Sequence, residues 1–187
     1  MKKYKLLEPR KSDGLRRIKY LTDMSEHGII AGNLGGLLSG YHNLSQEGRC
    51  AVLSDAIVYG EAQVSENALV CGGAFVHGRA KIFGYAQVYG RARVCGRAIV
   101  CGKAHVAGYA HLTYGEWRRT PLVITMTPYD VSEDGDGLIR VGCQLHTYKQ
   151  WMEHGLDIAE ADAMSQPMIE MYHRAIEYIH AEAEVQR

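Results

Sequence analysis

Residues 75–110 read FVHGRAKIFGYAQVYGRARVCGRAIVCGKAHVAGYA. An alanine returns every sixth position, an aliphatic residue follows two places later, and a glycine usually follows two places after that. Extended in both directions, the beat runs from Cys50 to Gly115 through eleven consecutive hexads. The small slot holds Cys50 and then an alanine at every sixth position from Ala56 to Ala110. The aliphatic slot holds Val52, Val58, Val64, Val70, Val76, Ile82, Val88, Val94, Val100, Val106 and Leu112. A helix repeats near 3.6 residues and an open strand at 2, so a strict six belongs to neither. It is the period of a parallel β-helix, in which each repeat stacks on another and buries a continuous core.

On these slots the run resembles the hexapeptide-repeat superfamily. The resemblance implies a mainly β fold, a left-handed parallel β-helix of triangular section in which three hexads make one coil. Eleven hexads then give somewhat under four coils. The aliphatic slot fills the prism, alanine fits the tapered corner, and glycine relieves the backbone where it turns. The repeat divides the chain into an N-terminal segment of strands and cap (1–49), the β-helix (50–115) and a small α+β appendage (116–187). The start predicts two short strands around Ser12-Asp13-Gly14. Gly32, Gly35, Gly36 and Gly40 read as turns closing the open end of the prism; a phosphate loop is disfavoured by their spacing. In the appendage, TPLVITMTPYDVS and GLIRVGCQLH read as paired strands across EDGDG, whose spacing does not match a calcium loop. Thr147 and Gln150 form a capping box before one helix. Ser165 and Pro167 open a second, with Ile169, Tyr172, Ile176 and Ile179 as an apolar stripe for packing on the prism or a neighbour.

The whole arrangement also resembles a group of uncharacterised bacteriophage and prophage proteins. The matching stretches are Gly32 to Gly36 with Asn43-Leu44-Ser45, and a GC-x-x-HT-x-x-x-W motif from Gly142 to Trp151.

An 18-residue return sorts the outward positions into three faces. The first carries Ala51, Leu53, Leu69, Cys71, Gln87, Tyr89, His105 and Ala107, mostly apolar or uncharged, and reads as a subunit interface. The second carries Ile57, Tyr59, Phe75, His77, Arg93, Cys95, His111 and Thr113, with Glu61, Arg79 and Arg97 at its following corner. The third carries Gln63, Ser65, Lys81, Phe83, Ile99 and Cys101. Dense aromatic surface is a liability in a monomer, and the superfamily resemblance implies a homotrimer that would cover it.

Arginine offers a planar fork to phosphate oxygens and aromatics offer a stacking face to a base. Tyr59, His77, Arg79, Arg93, Arg97 and His111 therefore form the expected ligand site, suited to a small phosphorylated molecule such as a nucleotide. The leading expectation is a non-catalytic homotrimeric binder, needing no cofactor and no metal, which a phage could use to sequester a host signalling nucleotide. The competing expectation is a CoA-dependent acyltransferase, the commonest activity that the superfamily resemblance implies, with His77 or His111 as base. A third is a scaffold protein that meets partners through Ile169, Tyr172 and Ile176.

Composition bounds these readings. The chain has 187 residues, with 21 basic and 21 acidic, so a generic nucleic-acid coat is excluded, yet no acid falls between Arg79 and Lys103. No stretch approaches the roughly 18 apolar residues of a membrane helix. Five cysteines without paired spacing fit a reducing compartment. Cys71, Cys95 and Cys101 fall on three different faces, and Cys143 with His146 gives two ligands where zinc wants more. These features predict a cytoplasmic protein, in host cytoplasm if phage-encoded.

Overall fold

The computed structural model describes residues 2–161 and 164–185. Two compact units form, Met1–Thr120 and Pro121–Arg187. The first is a parallel β-helix. Each hexad contributes a two-residue strand, as at Leu69–Val70, Phe75–Val76 and Lys81–Ile82. Strands 18 residues apart pair in parallel: Gln87 lies between Leu69 and His105, and Arg93 between Phe75 and His111. Lys81 lies between Gln63 and Ile99 on the third face. The ladder is made by backbone bonds such as Gln87 N–H to the Ala104 carbonyl, 2.9 Å.

The aliphatic and alanine slots are buried throughout. Each valine withdrawn from water there contributes on the order of 1.5–3 kcal/mol. The glycine slot sits in the left-handed region, with φ between +59° and +71° from Gly60 to Gly108. An L-residue there costs about 1–2 kcal/mol. Ser54 and Glu66 occupy the slot nevertheless, and the Glu66 carboxylate accepts the Gly84 N–H at 2.9 Å.

The ends depart from the beat. At the entrance the strands Tyr4–Pro9 and Arg16–Tyr20 pair antiparallel, as expected, and the second pairs with Leu34–Leu38. Leu34–Leu38 then runs parallel to Ile57–Val58, so the N-terminal hairpin extends the second face into a seven-stranded sheet. Gly35 and Gly36, expected in turns, lie in this strand. A Cβ on Gly36 would meet the Ala56 carbonyl oxygen at 2.5 Å and Val52 Cγ1 at 2.6 Å. Close packing over the prism mouth, and not a turn, is what demands glycine there. Tyr4, Ile18 and Tyr20 cover that mouth; the Tyr20 hydroxyl donates to the Val52 carbonyl at 3.0 Å. Burial pushes both phenols well above the usual tyrosine range.

At the exit a twelfth strand follows the eleven hexads. Glu116–Trp117 pairs with Ile99–Val100 at a spacing of 17, not 18, because the chain turns at Gly115 (φ +79°). Trp117 is buried in the aliphatic slot and its indole N–H donates to the Tyr114 carbonyl at 2.9 Å.

The second unit is an antiparallel sheet of Val123–Ile124, Val131–Glu133, Leu138–Val141 and Gln144–Thr147, with helices α1 (Tyr148–Ala161) and α2 (Gln166–Val185). The EDGDG loop is a turn closed by Asp134, which accepts the Gly135 N–H at 2.8 Å and forms a buried ion pair with Arg140 at 2.7 Å. The capping box forms: Thr147 N–H donates to Gln150 Oε1 at 2.9 Å and Gln150 N–H to Thr147 Oγ1 at 3.3 Å. Ile169, Tyr172, Ile176 and Ile179 pack on Val131, Ile139 and Trp151. The stripe is thus the core of its own unit, which corrects the expectation that it packs on the prism or offers Ile169, Tyr172 and Ile176 to partners. The GC-x-x-HT-x-x-x-W motif serves the same core. Gly142 turns at φ +56°, His146 sits edge-on to Trp151 at 4.9 Å, and the Trp151 indole N–H donates to the Ile139 carbonyl at 2.7 Å.

Gly36→Ala should lower stability by about 1–3 kcal/mol or more through overpacking. Gly73→Ala, where a Cβ meets only the Gly90 carbonyl at 3.5 Å, should stay within about 0.5 kcal/mol. Thermal unfolding of the two variants beside the parent measures both.

Candidate functional site

The ladder fixes what the second face presents. Successive rungs place side chains about 4.8 Å apart, so residues 18 apart meet directly. Tyr59 stacks on His77, ring centroids 4.9 Å apart and planes 12° from parallel. Beside this column run Ile57, Phe75, Arg93 and His111 in direct register. The Arg93 guanidinium lies 6.0 Å from the Phe75 ring centroid, a cation–π geometry. Tyr59, Phe75 and Arg93 are exposed and His77 and His111 partly so.

Arg79 and Arg97 are exposed at the corner that ends this face, on backbones anchored by Arg79 N–H to the Gly96 carbonyl (2.8 Å) and Arg97 N–H to the Thr113 carbonyl (3.0 Å). Among the described residues, no carboxylate lies within ion-pair range of Arg79, Arg93 or Arg97. All six expected residues therefore fall on one face and its edge.

The structure adds residues that the sequence reading passed over. Arg91 and Tyr109 stand at the opposite corner, where the Arg91 guanidinium donates to the Tyr109 hydroxyl at 3.3 Å and lies 5.8 Å from its ring centroid. Their 18-residue separation is the signal that could have found them. Phe75 belongs with Arg93 for the same reason. Cys95 is buried at 8% exposure, its thiol 3.4 Å from His111 Nε2. His111 is thus engaged by a thiol, whereas His77 is held by its ring face.

Burial, then the neighbouring Arg93 charge, hold His77 below the usual histidine range. The imidazole is neutral near pH 7, able to accept a proton or a hydrogen bond. On the third face Cys101 is also buried, and burial with the Glu116 carboxylate 3.7 Å away pushes its thiol up, so it is a poor nucleophile. On the first face His105 meets Tyr89 edge-on at 6.3 Å. Among the described residues no group of three or more His, Cys, Asp and Glu could hold a metal ion, and no helix is long and apolar enough to cross a membrane.

Comparison with protein-family models and with curated proteins finds no match for this chain. What the site can do is therefore read from its own geometry: aromatic faces flanked on both edges by arginines without acidic partners among the described residues.

The depressed His77 pKa fixes the sign of a pH effect. Above about 6.5 both folded and unfolded chains hold the ring neutral, so it contributes no pH dependence. As pH falls below that value the unfolded chain gains a proton that the folded chain excludes, and stability drops until the folded pKa is passed. His77→Gln should flatten this fall in an unfolding series from pH 7 downward. In an NMR titration His77 should protonate below the ordinary value, and Arg93→Gln should return it only part of the way.

Proposed function

We propose that the chain is a non-catalytic homotrimeric binder of a small phosphorylated ligand, a nucleotide, held on the second face of the prism. The observation that carries this reading is the set of three arginines, Arg79, Arg93 and Arg97, lacking acidic partners among the described residues beside the stacked Tyr59–His77 pair. Guanidinium groups would grip phosphate oxygens, and Tyr59, Phe75 and His77 would stack on a base. Neutral His77 and partly exposed His111 would add hydrogen bonds. The corner pair Arg91–Tyr109 flanks the same face and enlarges the basic rim.

Trimerisation is supported by the outer surface of the prism, where Tyr59, Phe75, Tyr85, Tyr89, Tyr109 and Tyr114 are each at least 36% exposed. So much aromatic surface favours burial between subunits, and a trimer would carry three equivalent sites. The likeness to phage and prophage proteins makes a host signalling nucleotide, sequestered in host cytoplasm, the ligand to try first.

The lowered His77 pKa favours a second reading. A neutral imidazole can take a proton from a hydroxyl or amine, as an acyltransferase using acyl-CoA would require.

A thermal-shift screen against mononucleotides, ADP-ribose derivatives, cyclic dinucleotides and acyl-CoAs separates these. A nucleotide at 100 times its Kd should stabilise the chain by about 2.7 kcal/mol, a shift of several degrees, and should be recovered chemically intact. Arg97→Ala should weaken that ligand about tenfold or more, the loss of a charge-assisted contact. Acetyl-CoA turnover abolished by His77→Ala would transfer the assignment to acyl transfer, and silence from every nucleotide would overturn the binder. Light scattering should give three times the chain mass.

A further inference from the structure

Three cysteines of the prism, Cys71, Cys95 and Cys101, occupy the same slot of the hexad, directly after the aliphatic residue. Their backbones are equivalent and their neighbours are not. Burial pushes the Cys71 thiol up. Cys101, 4% exposed, has the Glu116 carboxylate 3.7 Å from its sulfur, and burial together with that negative charge keeps the proton on. Cys95, 8% exposed, has an imidazole in the corresponding place: His111 Nε2 lies 3.4 Å from its Sγ.

The ladder builds this contact. Arg93 is in register with His111, and the Cys95 N–H donates to the Leu112 carbonyl at 2.8 Å, so the thiol and the imidazole meet across adjacent rungs. The Thr113 hydroxyl stands 3.9 Å from the same sulfur. His77 occupies the rung before, and Arg93 and Arg97 lie two residues to either side in the chain. These neighbours are neutral or positive. Positive charge and a histidine beside a cysteine favour the thiolate, which is the reactive form. A nucleophile within hydrogen-bond reach of a base is the arrangement that activates it.

From the contrast between Cys95 and Cys101 we infer that Cys95 is a nucleophile activated by His111 and a modification site for a small hydroperoxide. The narrow opening at Cys95 suits the smallest uncharged electrophile, hydrogen peroxide. The thiol proton passes to His111 Nε2, and Sγ attacks one peroxide oxygen. The S–O bond forms as the O–O bond breaks; sulfur gives up two electrons and the peroxide takes them. The departing hydroxide recovers the proton from His111 and leaves as water. The product is a sulfenic acid on Cys95, which thiols reduce. The reaction is stoichiometric and needs no bound ligand, so the inference stands apart from the nucleotide reading.

The test exposes the full-length chain to hydrogen peroxide at pH 6.5, removes the oxidant with catalase and alkylates the remaining thiols in denaturant. Each cysteine peptide is then read by mass. Burial alone predicts that exposed Cys143 oxidises first and that Cys95 and Cys101 lag together. Activation predicts that Cys95 is consumed faster than Cys143 and at least about tenfold faster than Cys101, with dimedone trapping the sulfenic acid at Cys95. Between pH 8 and pH 6 Cys143 should slow about a hundredfold, as a thiol with a pKa near 8.5 does, and Cys95 less than about tenfold. His111→Gln, shown by its melting curve to be folded, should slow Cys95 about tenfold or more and leave Cys143 as it was. The inference fails if Cys95 in the parent chain is no faster than Cys143, or if the folded His111→Gln variant loses Cys95 at the parent's rate.

Discussion

The molecule depends on the backbone ladder that joins each residue to the one a full coil later. With every coil 18 residues long, Gln87 must face both Leu69 and His105, and Arg93 both Phe75 and His111. A one-residue slip would turn every valine outward. Alanine at the corner and a left-handed glycine at the turn keep the coil length constant, and the core follows from them. Departures are tolerated only at the ends, where another element takes over. The strand Leu34–Leu38 joins Ile57–Val58 at a spacing of 20 and is overlaid by Tyr20 and Ile18. The exit coil is one residue short and is closed by Trp117.

The same constraint makes the outer face a rigid array. Side chains on adjacent rungs cannot avoid one another, so chemistry is written in pairs 18 apart: tyrosine on histidine, arginine over phenylalanine, arginine against tyrosine. Each pair is ordered by backbone hydrogen bonds that exist whether or not a ligand is present. If the face binds a ligand as proposed, the ladder has already fixed the backbone that carries its side chains, so no main-chain entropy is lost on binding. The N-terminal hairpin strengthens this particular face, since it adds its strands to the sheet that bears Tyr59, His77 and Arg93.

Legibility in the sequence followed periodicity. The hexads disclosed the coil, the buried slots and the grouping of Tyr59, His77, Arg79, Arg93, Arg97 and His111, because translation by 18 is arithmetic. Non-repeating parts were less open. Glycine is required at position 36 only by the Val52 and Ala56 atoms above it, which no local pattern reveals. Cys95 was read as an outward position of the second face but is buried, and its cover by His111 depends on rotamers. The apolar stripe of α2 showed that a face is buried and not by what; the answer, Val131, Ile139 and Trp151, lies across a sheet.

Charge placement is the remaining constraint on function. The ladder sets Arg79 and Arg97 on adjacent rungs of one corner. Two unit charges about 4.8 Å apart repel by roughly 1 kcal/mol in a water-like medium and more beside protein. The chain has as many acids as bases, and Glu61 stands on the same corner one rung before Arg79, yet no ion pair between them forms among the described residues. A corner selected only for stability would alternate signs along the column, as the outward pairs of a sheet do when they stabilise it. This one keeps its guanidinium groups exposed and turned to solvent, beside aromatic rings on the most reinforced face of the prism. On the function proposed above, a multivalent anion bridging the column would relieve that repulsion.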